Sequence, residues 1–129
     1  MKNVIFAIMF FVSLSSQSGQ CCWFDIHNDS DYITGCLWRG DPVPDSSIKH
    51  LLVLIKEEPY LTEFLAENHT QEDLEDIVAV VPEKLFGRYD EARILKKQAN
   101  FKYFVSQLLK QSENDISLVI TTLAVLAEL

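Results

Sequence analysis

Apolar residues recur at intervals of three or four positions through most of the chain after residue 46. This spacing places apolar side chains on one face of an α-helix in each of five successive segments. The segments present Ile48, Leu51, Leu52 and Ile55; then Leu61, Phe64 and Leu65; then Leu74, Ile77, Val78 and Val81; then Ile94, Leu95, Phe101, Phe104, Val105 and Leu108; and finally Ile116, Val119, Ile120, Leu123 and Leu126. The pattern predicts an all-α domain of about five helices over residues 47–129.

Capping residues, prolines and glycines mark the ends of these predicted helices. Thr70 with Asp73 matches a capping box, and Pro59 suits the first turn of the second helix. We expect Pro82 to end or redirect the third helix, and Gly87 to terminate the short turn that follows. The fifth segment is apolar on nearly all sides, a pattern typical of a central, buried helix.

Residues 21–46 lack this period and are rich in aromatic and turn-forming residues. They therefore predict an irregular cap, with room for one short strand or helix, that packs with the helices in one compact domain. All three cysteines of the chain lie in this segment, which suits an oxidising compartment. We expect a disulfide between Cys22 and Cys36, or alternatively between Cys21 and Cys36, closing a loop of about 15 residues. The remaining thiol could link two chains as a dimer, carry a lipid or stay buried.

The first twenty residues have the order of features of a secretory signal peptide. Lys2 gives a positively charged start, residues 4–12 are uninterruptedly apolar, and small polar residues fill most of 15–20. A membrane anchor would need about 20 apolar residues, roughly twice the run found here. Acylation of Cys21 as a lipoprotein fits less well, because the residues before it do not match that signal. The segment therefore predicts a secreted or periplasmic protein.

The net charge of the chain limits the classes of partner that it is expected to bind. Without residues 1–20 the chain carries 10 basic and 19 acidic residues, a formal charge of −9. Such a surface repels nucleic acid and anionic membranes. We therefore predict no nucleic-acid binding, and the short apolar run predicts no membrane span. A cationic protein partner and a merely solubilising surface are both consistent with this charge.

Charge is also divided between two stretches of the chain. Eight acidic residues and no lysine or arginine lie in 57–76, whereas seven lysines and arginines lie in 84–110. In one interpretation the two stretches pack together through surface ion pairs that involve Lys96 and Lys97. In the other, the acidic stretch docks a cationic partner protein. The residues that would then carry partner binding are Glu72, Asp73, Glu75 and Asp76.

Three short motifs suggest recognition at the surface. Arg39, Gly40 and Asp41 form a tripeptide that resembles the integrin-binding signal of adhesion proteins, although the same residues suit a packed connection into the first helix. Asn28 and Asn68 each begin an Asn-X-Ser/Thr acceptor, which would carry sugar in a eukaryotic secreted protein.

Catalytic motifs are absent from the sequence. It contains no nucleophile elbow, zinc-protease, phosphate-loop or dinucleotide signature, and residues 25–31 lack the glycine and closing glutamate of a calcium loop. We therefore predict no enzyme activity, no cofactor and no metal. The chain is expected to act by non-enzymatic protein–protein binding, as inhibitors and toxin-immunity proteins do. The alternatives are an adhesion ligand and a carrier of a small apolar ligand in a cavity lined by Phe64, Phe86, Phe101 and Phe104.

We expect N-terminal sequencing of the exported product to begin between residues 17 and 21. The small residues just before this range offer several sites at which a signal peptidase could cut. Recovery of the chain with an intact Met1 from a soluble cytoplasmic fraction would contradict this prediction.

Overall fold

The computed structural model describes residues 22–87 and 91–128, and in these residues it contains six α-helices and no strand. The helices are α1 (Trp23–Arg39), α2 (Asp45–Glu57), α3 (Thr62–Ala66), α4 (Gln71–Phe86), α5 (Glu91–Gln111) and α6 (Ile116–Leu126). A 3-10 turn, Pro59–Leu61, leads into α3. The prediction of an all-α fold is confirmed. The predicted signal peptide and Cys21 lie outside the described residues.

The central helix of the fold is α6. Every residue from Leu118 to Ala127 is buried, and the helix contacts each of the other five. Thr121 and Thr122 are accommodated there because their hydroxyls donate to backbone carbonyls one turn earlier in the helix. Each fully buried leucine or isoleucine stabilises the fold by roughly 1.5–3 kcal/mol relative to an exposed one. The apolar pattern on all sides of this segment therefore predicts its position correctly.

Residues 23–39 form a regular helix, so the prediction of an irregular cap is wrong here. The buried face of α1 consists of Trp23, Ile26, Ser30, Ile33, Cys36 and Leu37. These positions are three or four residues apart and share one side of a helix, which packs against α2, α5 and α6. Asn28, Asp29 and Gly35 have low helix propensity. Burial of the apolar face outweighs that local preference.

The predicted Cys22–Cys36 disulfide is not formed, because α1 separates the two residues. Cys22 lies directly before the helix and Cys36 lies in its last turn, 14 residues further along. At the helical rise their Cα atoms are about 21 Å apart, whereas bridged cysteines have Cα atoms within about 7 Å. Cys36 is buried, and the Nη2 of Arg39 lies 3.7 Å from its sulfur. Among the described residues, the prediction of this bridge is therefore wrong.

Gly40 ends α1 in a backbone conformation that glycine adopts without strain. Its φ of 76° and ψ of 22° lie in the left-handed region. In this conformation the Gly40 N–H donates to the Leu37 carbonyl at 3.1 Å, and the Asp41 N–H donates to the Cys36 carbonyl at 2.9 Å. These two bonds form a Schellman motif, which satisfies carbonyls that would otherwise lack a donor at the helix end.

Side chains of α5 fasten the connection between α1 and α2. The Asn100 amide donates to the Asp41 carbonyl at 2.7 Å, and the Gln111 amide donates to the Asp45 carboxylate at 3.2 Å. These bonds lie near the middle and the end of α5, so they hold one side of that helix against the N-terminal part of the fold.

The structure confirms the predicted start of α4 at Thr70 and the predicted stop at Gly87, but not the predicted break at Pro82. The Thr70 hydroxyl accepts from the Asp73 N–H at 3.2 Å, and the Asp73 carboxylate accepts from the Thr70 N–H at 3.0 Å. The predicted capping box is thereby confirmed. Pro82 does not end the helix, because α4 continues through it to Phe86 and stops at Gly87. Extensive packing of α4 against α6 outweighs the hydrogen bond that the proline removes.

Alanine substitutions at two glycines should have opposite effects on stability. Gly40→Ala forces an L-residue into the left-handed region and should lower the free energy of unfolding by about 1–2 kcal/mol. Gly35→Ala lies inside α1, where alanine should raise the free energy of unfolding by up to about 1 kcal/mol. A Cβ there meets the flexible end of Arg39 at 3.3 Å, a contact that this side chain can relieve. Urea unfolding of both variants tests the pair, and an equal loss of stability in both would contradict it.

Candidate functional site

An open groove with a volume of about 990 Å³ lies between α4 and α5. Its apolar lining residues are Leu74, Val78, Ala79, Pro82, Phe86, Ile94, Phe101, Val105 and Leu109. Its other lining residues are Gln71, Glu75, Glu83, Gly87, Gln98 and Lys102. The groove follows α4 along its whole length, which is about 24 Å at the helical rise.

Two facing stripes of side chains form the groove. On α4, Leu74, Val78 and Pro82 are four residues apart, and on α5, Ile94 and Phe101 are seven residues apart. Both spacings keep side chains on one face of a helix. α4 packs more extensively on α6 than on α5, so contact between the two stripes is limited. The space between their outer parts is open to solvent.

The floor of the groove is closed. Leu74, Phe86, Phe101 and Val105 are no more than 8% exposed. The rings of Phe86 and Phe101 pack edge to face, with their centroids 6.4 Å apart. Half-buried side chains such as Val78 form the rim. The groove is therefore a trough on the surface and not an enclosed cavity.

Two of the four phenylalanines predicted to line an apolar cavity belong to this groove. Phe86 and Phe101 line it, whereas Phe64 and Phe104 are buried in the core. The ring of Phe64 packs instead against His69, with a distance of 5.0 Å between ring centroids. Core positions and lining positions share the same apolar helical pattern, so the sequence cannot separate them.

Pro82 also leaves one backbone carbonyl beside the groove without its usual hydrogen-bond donor. Because proline has no N–H, the carbonyl of Val78 lacks the donor that residue i+4 supplies in a regular helix. Both residues line the groove. A backbone acceptor without its usual helical donor therefore belongs to an otherwise apolar stripe.

Ion pairs do not connect α4 with α5 in the part of the chain that the structure describes. The contacts between acidic and basic side chains there are Arg39–Asp41, His50–Asp29 and His69–Glu67. The Nζ of Lys97 lies 4.3 Å from the centre of the Trp38 ring and 5.9 Å from that of Phe86. Lys96 lies against Gly40. The interpretation that these two lysines pair with the acidic stretch is therefore wrong for α4.

The four acidic residues predicted to bind a partner do not have equivalent positions. Glu75 lines the groove, and Glu72 and Asp76 are exposed on the same helix. Asp73 belongs to the capping box, where the hydrogen bond from the Thr70 N–H lowers the pKa of its carboxyl below the ordinary value. Asp73 therefore has a capping role that the other three do not share.

Arg39, Gly40 and Asp41, the tripeptide considered as an adhesion signal, form the end of α1. The Arg39 Nε donates to the Asp41 carboxylate at 3.0 Å, and this hydrogen bond raises the pKa of Arg39. Gly40 is buried and lies against the side chain of Lys96. The two charged side chains are about half exposed and are paired with each other. The visible role of the tripeptide is therefore to stop the helix.

The two predicted glycosylation acceptors differ in their surroundings. Asn28 is exposed in the middle of α1, but Ser30 of the same tripeptide is buried against the core. Asn68 is exposed in the connection between α3 and α4. In the folded protein, the acceptor at Asn68 is the more accessible of the two.

One polar cluster joins residues that lie far apart in the sequence. The Ser117 hydroxyl donates to the Glu67 carbonyl at 2.8 Å and lies 2.9 Å from the Nδ1 of His69. The His69 side chain is 2% exposed, and its Nε2 lies 3.6 Å from the Glu67 carboxylate. Serine, histidine and a carboxylate are the residue types of a hydrolase triad. Here, however, the Ser117 hydroxyl donates to the backbone carbonyl of Glu67 and not to the histidine. The cluster also lies outside the residues that line the groove. The cluster instead anchors the connection before α4 to the start of α6.

Comparison with protein-family models, curated proteins and solved structures finds no match for this chain. In residues 22–87 and 91–128, no three histidine, cysteine, aspartate or glutamate side chains are grouped as a metal site requires. No helix in the same residues has the length and apolar character needed to cross a bilayer.

We expect the capping box to make stability depend on pH below neutrality. Because the folded state lowers the pKa of Asp73 from its ordinary value of 3.8, this carboxylate stabilises the fold above that value. The stabilisation is lost as pH falls through the lowered pKa. Asp73→Asn should therefore show a smaller loss of unfolding free energy between about pH 7 and about pH 3 than the unmodified protein.

Asp76→Asn is the matched control for this measurement, because Asp76 is an exposed aspartate on the same helix with no capping bond. Its pH dependence should resemble that of the unmodified protein. Equal pH dependence in the Asp73→Asn variant and the unmodified protein would show that the cap does not depend on the charged carboxylate.

Proposed function

We propose that the protein is a non-enzymatic binding protein of a secreted or periplasmic space, and that the α4–α5 groove holds a helix of its partner protein. The observation that carries this proposal is the shape of the groove. It is about 24 Å long, apolar along its floor, open on one side and bordered by polar side chains. An amphipathic helix of about 15 residues matches that length. Such helices bind apolar grooves through residues at positions i, i+3, i+4 and i+7.

A small apolar ligand is the second candidate occupant, because Phe86 and Phe101 line the groove and its volume suits a ligand pocket. Ligand pockets, however, cover most of the surface of the molecule that they hold. The closed floor of this groove would leave a small ligand open to solvent along its length. A partner helix needs contact on one face only, so the open trough favours a helix.

Inhibition or immunity is the form of activity that this binding would take. A protein without catalytic residues alters its partner by covering a surface, and a helix held in the groove is withheld from other interactions. Adhesion through Arg39 and Asp41 has less support, because the two side chains pair with each other at the end of α1.

Two neighbouring positions on α4 provide a direct test. Ala79 and Val80 are both exposed, but Ala79 lines the groove and Val80 does not. We expect a photoreactive amino acid at Ala79 to cross-link one discrete protein in an extracytoplasmic extract of the source cells. The same group at Val80 should cross-link that protein much less, because the two side chains are about 100° apart around the helix.

Excess unmodified protein should suppress the cross-link from Ala79, and mass spectrometry should locate the linked residue in an amphipathic segment of the partner. A small apolar molecule linked at Ala79 would favour the carrier instead. Equal cross-linking from Ala79 and Val80 would count against any role for the groove.

A further inference from the structure

Acidic residues follow the α4 side of the groove along most of its length. Glu75 and Glu83 line the groove itself. Glu72 and Asp76 lie on the same stripe as Glu83, since residues 72, 76, 79 and 83 are three or four positions apart. We call Glu72, Glu75, Asp76 and Glu83 the acidic edge. It extends over about 16 Å of α4.

The acidic edge is not neutralised by the fold. Its four carboxylates take part in none of the ion pairs formed within residues 22–87 and 93–128. Among the described residues that line the groove, Lys102 is the one basic residue, and it lies on the opposite wall. A row of negative charges beside an apolar trough attracts a cationic partner and repels an anionic one.

Given the helix docking proposed above, on which this inference rests, we infer that the occupant is a cationic amphipathic helix. Its apolar residues lie on the floor formed by Leu74, Phe101 and Val105, and its lysines or arginines lie against the acidic edge. Because these carboxylates are exposed, they act mainly on the association rate and on the choice of partner. The carbonyl of Val78 is a further acceptor for a lysine or arginine that reaches into the groove.

Two synthetic peptides of about 15 residues test the charge preference. They share one leucine face and differ only at the flanking polar positions, which are lysine in one peptide and glutamate in the other. We expect the lysine peptide to bind at least about tenfold more tightly in fluorescence anisotropy at low salt. The difference should shrink as the salt concentration rises from about 0.05 M to about 0.5 M.

Matched variants separate the acidic edge from the net charge of the protein. Glu75→Lys with Glu83→Lys should reverse the preference between the two peptides. The same change in formal charge made through Glu57→Lys with Glu63→Lys, which are exposed and outside the groove, should alter it by less than about twofold. Glu75→Gln with Glu83→Gln should give an intermediate preference, and this pair keeps the test decisive if the reversal unfolds α4.

Backbone amide resonances of Val78, Ala79 and Val105 report whether a peptide occupies the groove. Shifts from both peptides with equal affinity would overturn the cationic preference and leave helix docking intact. A change of preference of equal size in the Glu57 and Glu63 variant would overturn the local role of the acidic edge. If neither peptide shifts these amides at millimolar concentration, the docking function itself fails.

Discussion

Burial of α6 is the constraint on which the rest of the structure depends. A helix that is apolar on nearly every side is unstable in water, so the other five helices must cover it. This requirement explains two departures from local preference: α1 is helical despite its polar, turn-forming residues, and α4 continues through Pro82. A proline inside a helix costs about 3 kcal/mol and a glycine about 1 kcal/mol. Burying two or three large apolar side chains offsets such costs.

The same constraint accounts for the groove. α4 packs mainly on α6, whereas α5 divides its contacts among α1, α2, α4 and α6, so α4 and α5 contact each other only in part. Leu74 and Phe101 close the floor, but no element among residues 22–87 and 91–128 covers the trough above them. A third helix packed against two neighbouring helices would complete the arrangement found inside helical bundles. The proposed docking surface therefore follows from the way in which the fold closes around its central helix.

Helical periodicity predicts the fold well wherever the signal is local. The helices from α2 onward, the buried character of α6 and the capping box of α4 all depend on residues within one or two turns of each other. The prediction of an irregular cap is wrong because Ser30 and its polar neighbours interrupt the apolar pattern, although the buried positions of α1 are three or four residues apart. The predicted Cys22–Cys36 bridge is wrong for the same reason, because a regular helix separates the two cysteines. The groove could not be predicted, because whether Phe64 or Phe86 lies at a surface depends on how helices distant in sequence pack. The sequence indicates Glu72, Glu75 and Asp76 of the acidic edge as part of a charged stretch, but it indicates neither Glu83 nor the apolar groove beside them.

Helix stability favours Glu72 of the acidic edge but does not explain Asp76 and Glu83. Glu72 lies in the first turn of α4, where the helix dipole favours an acid by about 0.3–1 kcal/mol. Asp76 lies beyond that turn and four residues from Glu72, a spacing at which like charges destabilise a helix by about 0.2–0.5 kcal/mol. Glu83 lies near the C-terminus of α4, where the dipole disfavours an acid. Asp73, by contrast, stabilises the helix through its cap and lies off this edge. The chain thus separates an acid that serves folding from acids that form no ion pair within the described residues, and a cationic partner of the kind proposed would relieve their mutual repulsion.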